Sequence, residues 1–146
     1  MKIAFGSDHA GLTLKDELVA LAKSLGHQAV DFGPSSPASV DYPDFALKVS
    51  QAVVKGEVPL GVLVCGTGIG MSITANKVHG VRAALCHTEF EARMSRAHND
   101  ANVLCLGQRV TGVGVAGECF KVFVATAFEG GRHAGRVEKI RKLEGP

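Results

Sequence analysis

Apolar and polar positions along the chain alternate between strand-like and helix-like patterns. Lys2–Gly6 reads as a short apolar strand, and Ser7 and Asp8 offer capping oxygens to a following helix. In that helix Leu14, Leu18, Leu21 and Leu25 recur at i, i+4, i+7 and i+11, which marks one buried face. Gly26 supplies its stop. Gln28–Phe32 is a second strand. Gly33 to Pro43 holds three Pro and three Ser, so it reads as a surface loop. Phe45, Val49 and Val53 share one face of a helix ending near Gly56. Leu60–Cys65 is apolar throughout, the pattern of a strand buried on both faces. The loop Gly66–Gly70 leads into a helix reaching about Val78. Val81–Cys86 is a fourth strand, Glu89–Ala97 a helix and Ala101–Leu106 a fifth strand. Gly114–Phe128 and Arg132–Leu143 close the chain as helices.

Strand and helix alternate about five times, which predicts a Rossmann-like α/β/α sandwich with a five-stranded parallel sheet. Residues 1–146 read as one domain, without repeat, linker or low-complexity tract. In open parallel sheets, ligands bind beyond the carboxyl ends of the strands. The segments placed there are Ser7–Ala10, Cys65–Ser72, Cys86–Thr88 and Leu106–Arg109.

Composition narrows the function. A net charge of +2, no Trp and one Tyr leave neither a basic stripe nor stacking platforms, so nucleic acid is not an expected partner. The longest apolar run, Leu60–Cys65, is far short of the roughly 20 residues a membrane span needs. The N-terminus turns polar too early for a secretory segment, so a cytoplasmic protein is expected. Cys65, Cys86, Cys105 and Cys119 form no Cys-x-x-Cys pair, which speaks against a zinc ribbon. Cys86, Cys105 and Cys119 read as small buried residues.

The stretch Cys65-Gly66-Thr67-Gly68-Ile69-Gly70-Met71 joins a buried strand to a helix. Its glycines let backbone N–H groups approach a ligand, and the helix start favours an anion: a phosphate, or the oxygen of a developing enolate. Met71 breaks the Walker A, dinucleotide and Cys-x5-Arg phosphatase patterns alike. A tight turn without ligand is the plainer alternative. A free thiol is only about 3% thiolate at pH 7, and a helix N-terminus raises that share. Cys65 therefore reads equally well as a base or nucleophile and as a small buried side chain.

His98, Asn99, Asp100 and Asn102 put a proton-transfer group, two amides and a carboxylate into five residues. A capped helix end explains the same residues. Asp8 and His9 allow the same two readings. Arg132 and Arg136, at i and i+4, form either a phosphate clamp that Arg109 could join or a solvated face offset by Glu129 and Glu138. His27, His79, His87 and His133 are expected in surface loops and at helix ends.

Taken together, Gly-Ser-Asp-His-Ala-Gly at the N-terminus, Asp41-Tyr42-Pro43, the glycine loop, Ala75-Asn76-Lys77, Ser95-Arg96-x-His98-Asn99-Asp100-Ala-Asn102 and Gly130-Gly131-Arg132-His133 resemble the ribose-5-phosphate isomerase B / galactose-6-phosphate isomerase family. The resemblance implies an aldose–ketose isomerase acting on D-ribose 5-phosphate and D-ribulose 5-phosphate. It implies no metal and no organic cofactor, and a homodimer or homotetramer with shared active sites. It assigns Cys65 as the base, and Thr67 with the amides of Gly66, Gly68 and Gly70 as stabilisers of a cis-enediolate. His98 assists ring opening, Asp8 positions the ring oxygen or hydroxyls, and Asn99 holds the intermediate. His9, Arg109, Arg132 and Arg136 grip the phosphate, and Tyr42 lines the sugar pocket. A branch with a glutamate base is excluded by Met71. The remaining alternatives are a six-carbon sugar phosphate, of allose or galactose, and a non-catalytic phosphate-binding module.

Overall fold

The chain was analysed as a computed structural model, which describes residues 1–145. Pro146, the last residue of the expected domain, lies outside the described residues. Five strands, β1 (Lys2–Ser7), β2 (Gln28–Asp31), β3 (Leu60–Cys65), β4 (Ala83–Leu85) and β5 (Val103–Gly107), form one sheet in the order β2-β1-β3-β5-β4. Every pairing is parallel. The helices are α1 (Leu12–Ser24), α2 (Tyr42–Val54), α3 (Ile69–Ala75), α4 (Glu89–Asn99), α5 (Val113–Ala125) and α6 (Arg132–Lys142). Among the described residues no helix is long and apolar enough to cross a membrane.

The unbroken apolar run of β3 has the expected cause. All six of its residues are buried, because β1 and β5 flank it and helices cover both faces. Val62 and Val64 join a core with Leu14 and Leu18 of α1 and Phe120 of α5. Leu63 and Cys65 face the opposite layer, with Val49 of α2 and Met71 of α3. Phe5 meets Phe120 at a centroid distance of 5.9 Å, a tilted pair that seats α5 on the sheet.

Several boundaries depart from the sequence expectation, each for a visible reason. Helix α2 starts at Tyr42, since Pro43 is tolerated in a first turn. Helix α3 stops at Ala75 rather than near Val78. There the Asn76 side chain donates to Ser72 O and Ala83 O at 3.0 Å and accepts from the Ala83 amide at 2.8 Å. The fourth strand is trimmed to Ala83–Leu85 because the Asn102 side chain accepts from the Arg82 amide at 2.8 Å and donates to Gly80 O, also at 2.8 Å. Helix α5 ends at Ala125, where Thr126 turns extended and its hydroxyl donates back to Val122 O at 2.6 Å.

Candidate active site

Parallel strands end together, so the loops after β1, β3 and β5 gather at one edge. A cleft of about 470 Å3 opens there, and Asp8, His9, Tyr42, Cys65, Thr67 and Arg109 line it together with Gly66 and Gly70. Backbone bonds hold its parts in register: Gln108 N–H donates to Cys65 O at 2.9 Å and Arg109 N–H to Gly66 O at 3.0 Å.

Cys65 is the last residue of β3 and only 4% exposed. Its Sγ accepts from the Gly68 amide at 3.1 Å. Gly68 adopts a left-handed φ of +78°, and a Cβ there would come within 2.9 Å of the Leu106 backbone. The position needs glycine both for its dihedral and for its space. A Cβ at Gly70 would lie 2.5 Å from the Tyr42 ring, so the missing side chain lets Tyr42 lie across the loop. Thr67 Oγ1 accepts from the Ile69 amide at 3.2 Å. Because α3 is only two turns long, the loop's own amides carry most of the anion-stabilising capacity.

The other cysteines differ in chemistry. Burial, with Cys119 and Glu91 adding to it, pushes the Cys86 thiol up to about 12. Burial and the acidic groups Glu89 and Glu91 push Cys119 up to about 11. Cys105 is raised by complete burial and by its neighbours Cys65 and Cys86. These three stay protonated at neutral pH, as expected of packing residues.

Asp8 places one carboxylate oxygen on the Gly11 amide at 3.0 Å, capping a single 3-10 turn, and still lines the cleft. His9 Nδ1 accepts from the Val40 amide at 3.2 Å. An acceptor nitrogen carries no proton, so this bond selects the tautomer with its hydrogen on Nε2. It also ties the loop before α2 to His9. Beneath that loop Lys15, 1% exposed, donates to both oxygens of Asp31 at 2.8 and 2.7 Å and to Pro34 O at 3.1 Å.

The structure does not bring His98, Asn99, Arg132 and Arg136 to this cleft. Helix α4 runs back along the sheet, so its last residues precede β5 instead of following a strand. Asn102 O accepts from Gly61 N–H, which places that turn beside the start of β3. Cys65 stands at the other end of β3, so roughly 15 Å of strand separates the two ends at about 3.3 Å per residue. Asn99 borders a different cavity, of about 560 Å3, with Asn76, Arg82 and Ile140.

This second cluster has an order that the sequence did not reveal. Asp100 takes a left-handed φ of +48° at the end of α4. Arg82 donates to Asp100 Oδ2 at 3.0 Å and Arg96 to Oδ1 at 3.2 Å, and both also bond backbone carbonyls of the turn. Two arginines thus fix the turn that presents His98 and Asn99. His133, expected at a surface helix end, is instead buried, and its ring stacks on His98 at a centroid distance of 4.1 Å. Burial, then His98 and Arg132, hold the His133 pKa below the usual imidazole value. The offset expected for the arginines is also absent. Glu129 turns to the two histidines, at 3.8 Å from His98 and 3.5 Å from His133, and Glu138 to Arg141 at 3.9 Å. Among the described residues no carboxylate pairs with Arg109, Arg132 or Arg136. Unpaired guanidinium groups remain free for bidentate pairing with a carboxylate or phosphate.

Comparison with known proteins shows the family of the chain. The sequence pattern of the Ribose/Galactose Isomerase family matches residues 3–140. The chain is 47% identical to a ribose-5-phosphate isomerase B of Escherichia coli, covering 98% of this chain and 96% of that one. It superposes on the ribose-5-phosphate isomerase B of Clostridium thermocellum with a TM-score of 0.97 and 52% identity, covering 99% and 97% of the two chains. A Mycoplasma genitalium ribose-5-phosphate isomerase B solved with bound ribulose 5-phosphate has a TM-score of 0.94 and 43% identity, with coverage of 98% and 95%.

Proposed function

The chain belongs to the ribose/galactose isomerase family, and from that premise we infer that it interconverts D-ribose 5-phosphate and D-ribulose 5-phosphate. Within the molecule, the observation that carries this reading is the cleft thiol, which accepts from a glycine-loop amide and shares the cleft with Gly66, Thr67 and Gly70. An aldose becomes a ketose when a proton leaves C2, the hydroxyl proton passes from O2 to O1 through an enediolate, and a proton returns to C1. The electron pair of the C–H bond stays within the sugar, so the balance closes without an external oxidant. Cys65, as thiolate, takes the C2 proton and returns one to C1. Thr67 and the amides of Gly66 and Gly70 stabilise the enediolate oxygens, an effect worth several kcal/mol when donors are preorganised, while the Gly68 amide holds the thiol.

His98 assists opening of the furanose ring, with Asp8 positioning the ring oxygen or hydroxyls and Asn99 holding the intermediate. His9, through its Nε2 hydrogen, and Arg109, Arg132 and Arg136 hold the phosphate, while Tyr42 walls the sugar. Binding at the phosphate orients C1 and C2 against the base. His98 cannot reach the cleft of its own chain across the length of the sheet. The reading therefore requires a second copy whose His98 end covers the Cys65 cleft, in a homodimer or in a homotetramer of such pairs. Phosphorylated sugars are charged and do not cross membranes unaided, which supports a cytoplasmic enzyme.

Purified protein in the presence of a chelator is expected to isomerise D-ribose 5-phosphate. Faster turnover of allose 6-phosphate or galactose 6-phosphate would move the substrate to six carbons, and no turnover of any of the three would favour a binding module. Arg136→Ala is expected to raise KM about 10- to 100-fold, the loss of one charge-assisted contact, with kcat largely kept. An unchanged KM would remove Arg136 from the phosphate site.

A further inference from the structure

We propose that Glu129 and His133 are positioning residues for His98, holding the plane of its ring and giving its proton a counter-charge. The inference rests on the ring-opening role assigned above to His98. Two contacts meet that side chain, and a backbone bond anchors one of them. The Glu129 amide donates to Ala97 O at 3.0 Å, which pins the carboxylate's own backbone to the last turn of α4. The His133 ring lies parallel to the His98 ring, with an interplanar angle of 11° at 4.1 Å. Glu129 Oε2 faces Nε2 of both rings, at 3.8 and 3.5 Å.

The two rings are not equivalent. The His133 side chain is 7% exposed and the His98 side chain 36%. Burial, His98, Arg132 and Arg136 all disfavour a charge on His133, and Glu129 alone favours it. Two stacked imidazolium rings would repel, so the buried ring, His133, is the neutral one of the pair, and Glu129 lies within reach of both. The neutral His133 then serves as a flat, buried backing surface. Gly130 and Gly131, at φ values of +65° and +53°, make the turn that brings Glu129 back against His133 one helical turn on.

The same three side chains place their donor atoms within 4.8 Å of one another, a spacing that also suits a metal ion. The stacking argues against that use. Lone pairs lie in the ring planes, and nearly parallel planes do not direct two nitrogens at one ion. A shared carboxylate tolerates this arrangement.

The test compares wild type, Glu129→Gln, His98→Ala and the double variant by two rates. One is isomerisation of D-ribose 5-phosphate, which needs ring opening. The other is exchange of the C1 proton of D-ribulose 5-phosphate with solvent deuterium. That ketose has no free C5 hydroxyl and no furanose to open, so exchange reads the base alone. Glu129→Gln is expected to lower isomerisation kcat about tenfold, with KM within about twofold and exchange lowered less. The double variant is expected to be no slower than His98→Ala, as for residues acting through one group. His133→Phe, which keeps a stacked ring, is expected to retain more isomerisation than His133→Ala. Losses that multiply in the double variant would overturn the positioning role and leave the ring-opening role standing. Full isomerisation by His98→Ala would overturn both, because Glu129 would then have nothing to position.

Discussion

Cys65→Ala is expected to lower kcat for D-ribose 5-phosphate by about 10²- to 10⁴-fold, the range for loss of a proton-transfer group. The KM should change little, because the groups assigned to the phosphate lie elsewhere in the cleft and in the second cluster. The substitution removes one buried sulfur from the layer of Met71 and Cys105 and leaves the Gly68 amide without its acceptor. Cys65→Ser separates geometry from chemistry. Its hydroxyl can still accept from Gly68 but is far too weak an acid to supply the anion at neutral pH, so it should be nearly as slow as the alanine variant. Cys86→Ala and Cys119→Ala should leave turnover in place, since burial keeps those thiols protonated. The checks are kcat and KM for each variant, with circular dichroism to confirm folding. Full turnover by Cys65→Ala would remove the base assignment.

The second large effect is a recovery. Cys65→Ala and His98→Ala proteins, each nearly inactive alone, should regain activity when co-expressed or refolded together. If one chain supplies the thiol and the other the imidazole, a hybrid dimer holds one site with both groups and one site with neither. Random pairing makes half the dimers hybrids, so total activity should reach about a quarter of wild type. Sites complete within one chain would give no recovery, since every chain in the mixture lacks one group. Counting active sites in mixtures of varied ratio, with activity peaking at equal amounts, checks the pairing. A flat, low rate at all ratios would mean that the two clusters do not share a site. The separation of Cys65 and His98 by the length of β3 makes recovery the expected result.

The fold was largely legible because its signals are local. The leucine stripe of α1, the uninterrupted apolar run of β3 and the repeated alternation of strand and helix depend only on neighbouring residues. The glycine loop was legible for a similar reason: three glycines in five residues state a backbone requirement. Boundaries were less legible where a side chain replaced a backbone partner. Asn76 ended α3 by bonding Ala83 beyond the helix, and Asn102 trimmed β4 by bonding Arg82 and Gly80 about 20 residues earlier. His133 showed no signal of burial, because one polar residue on a short charged helix has no period to read. The alternative in which Glu129 and Glu138 offset Arg132 and Arg136 was no better marked. Spacing placed Glu129 and Glu138 nearby, and only the packed chain directs them to His98, His133 and Arg141.

By itself the sequence determined the parallel α/β architecture, the thiol at the mouth of a glycine loop and the identity of the residues suited to a sugar phosphate. Periodicity, turn chemistry and side-chain type are properties of the local chain. Only the tertiary structure decided which of those residues share a site. In a parallel sheet every crossover helix carries the chain back to the starting edge, so residues on a last helical turn and residues after a strand end on opposite sides. That return path separates His98 from Cys65 and buries His133 behind it, which is why the proposed isomerase site calls on a second copy.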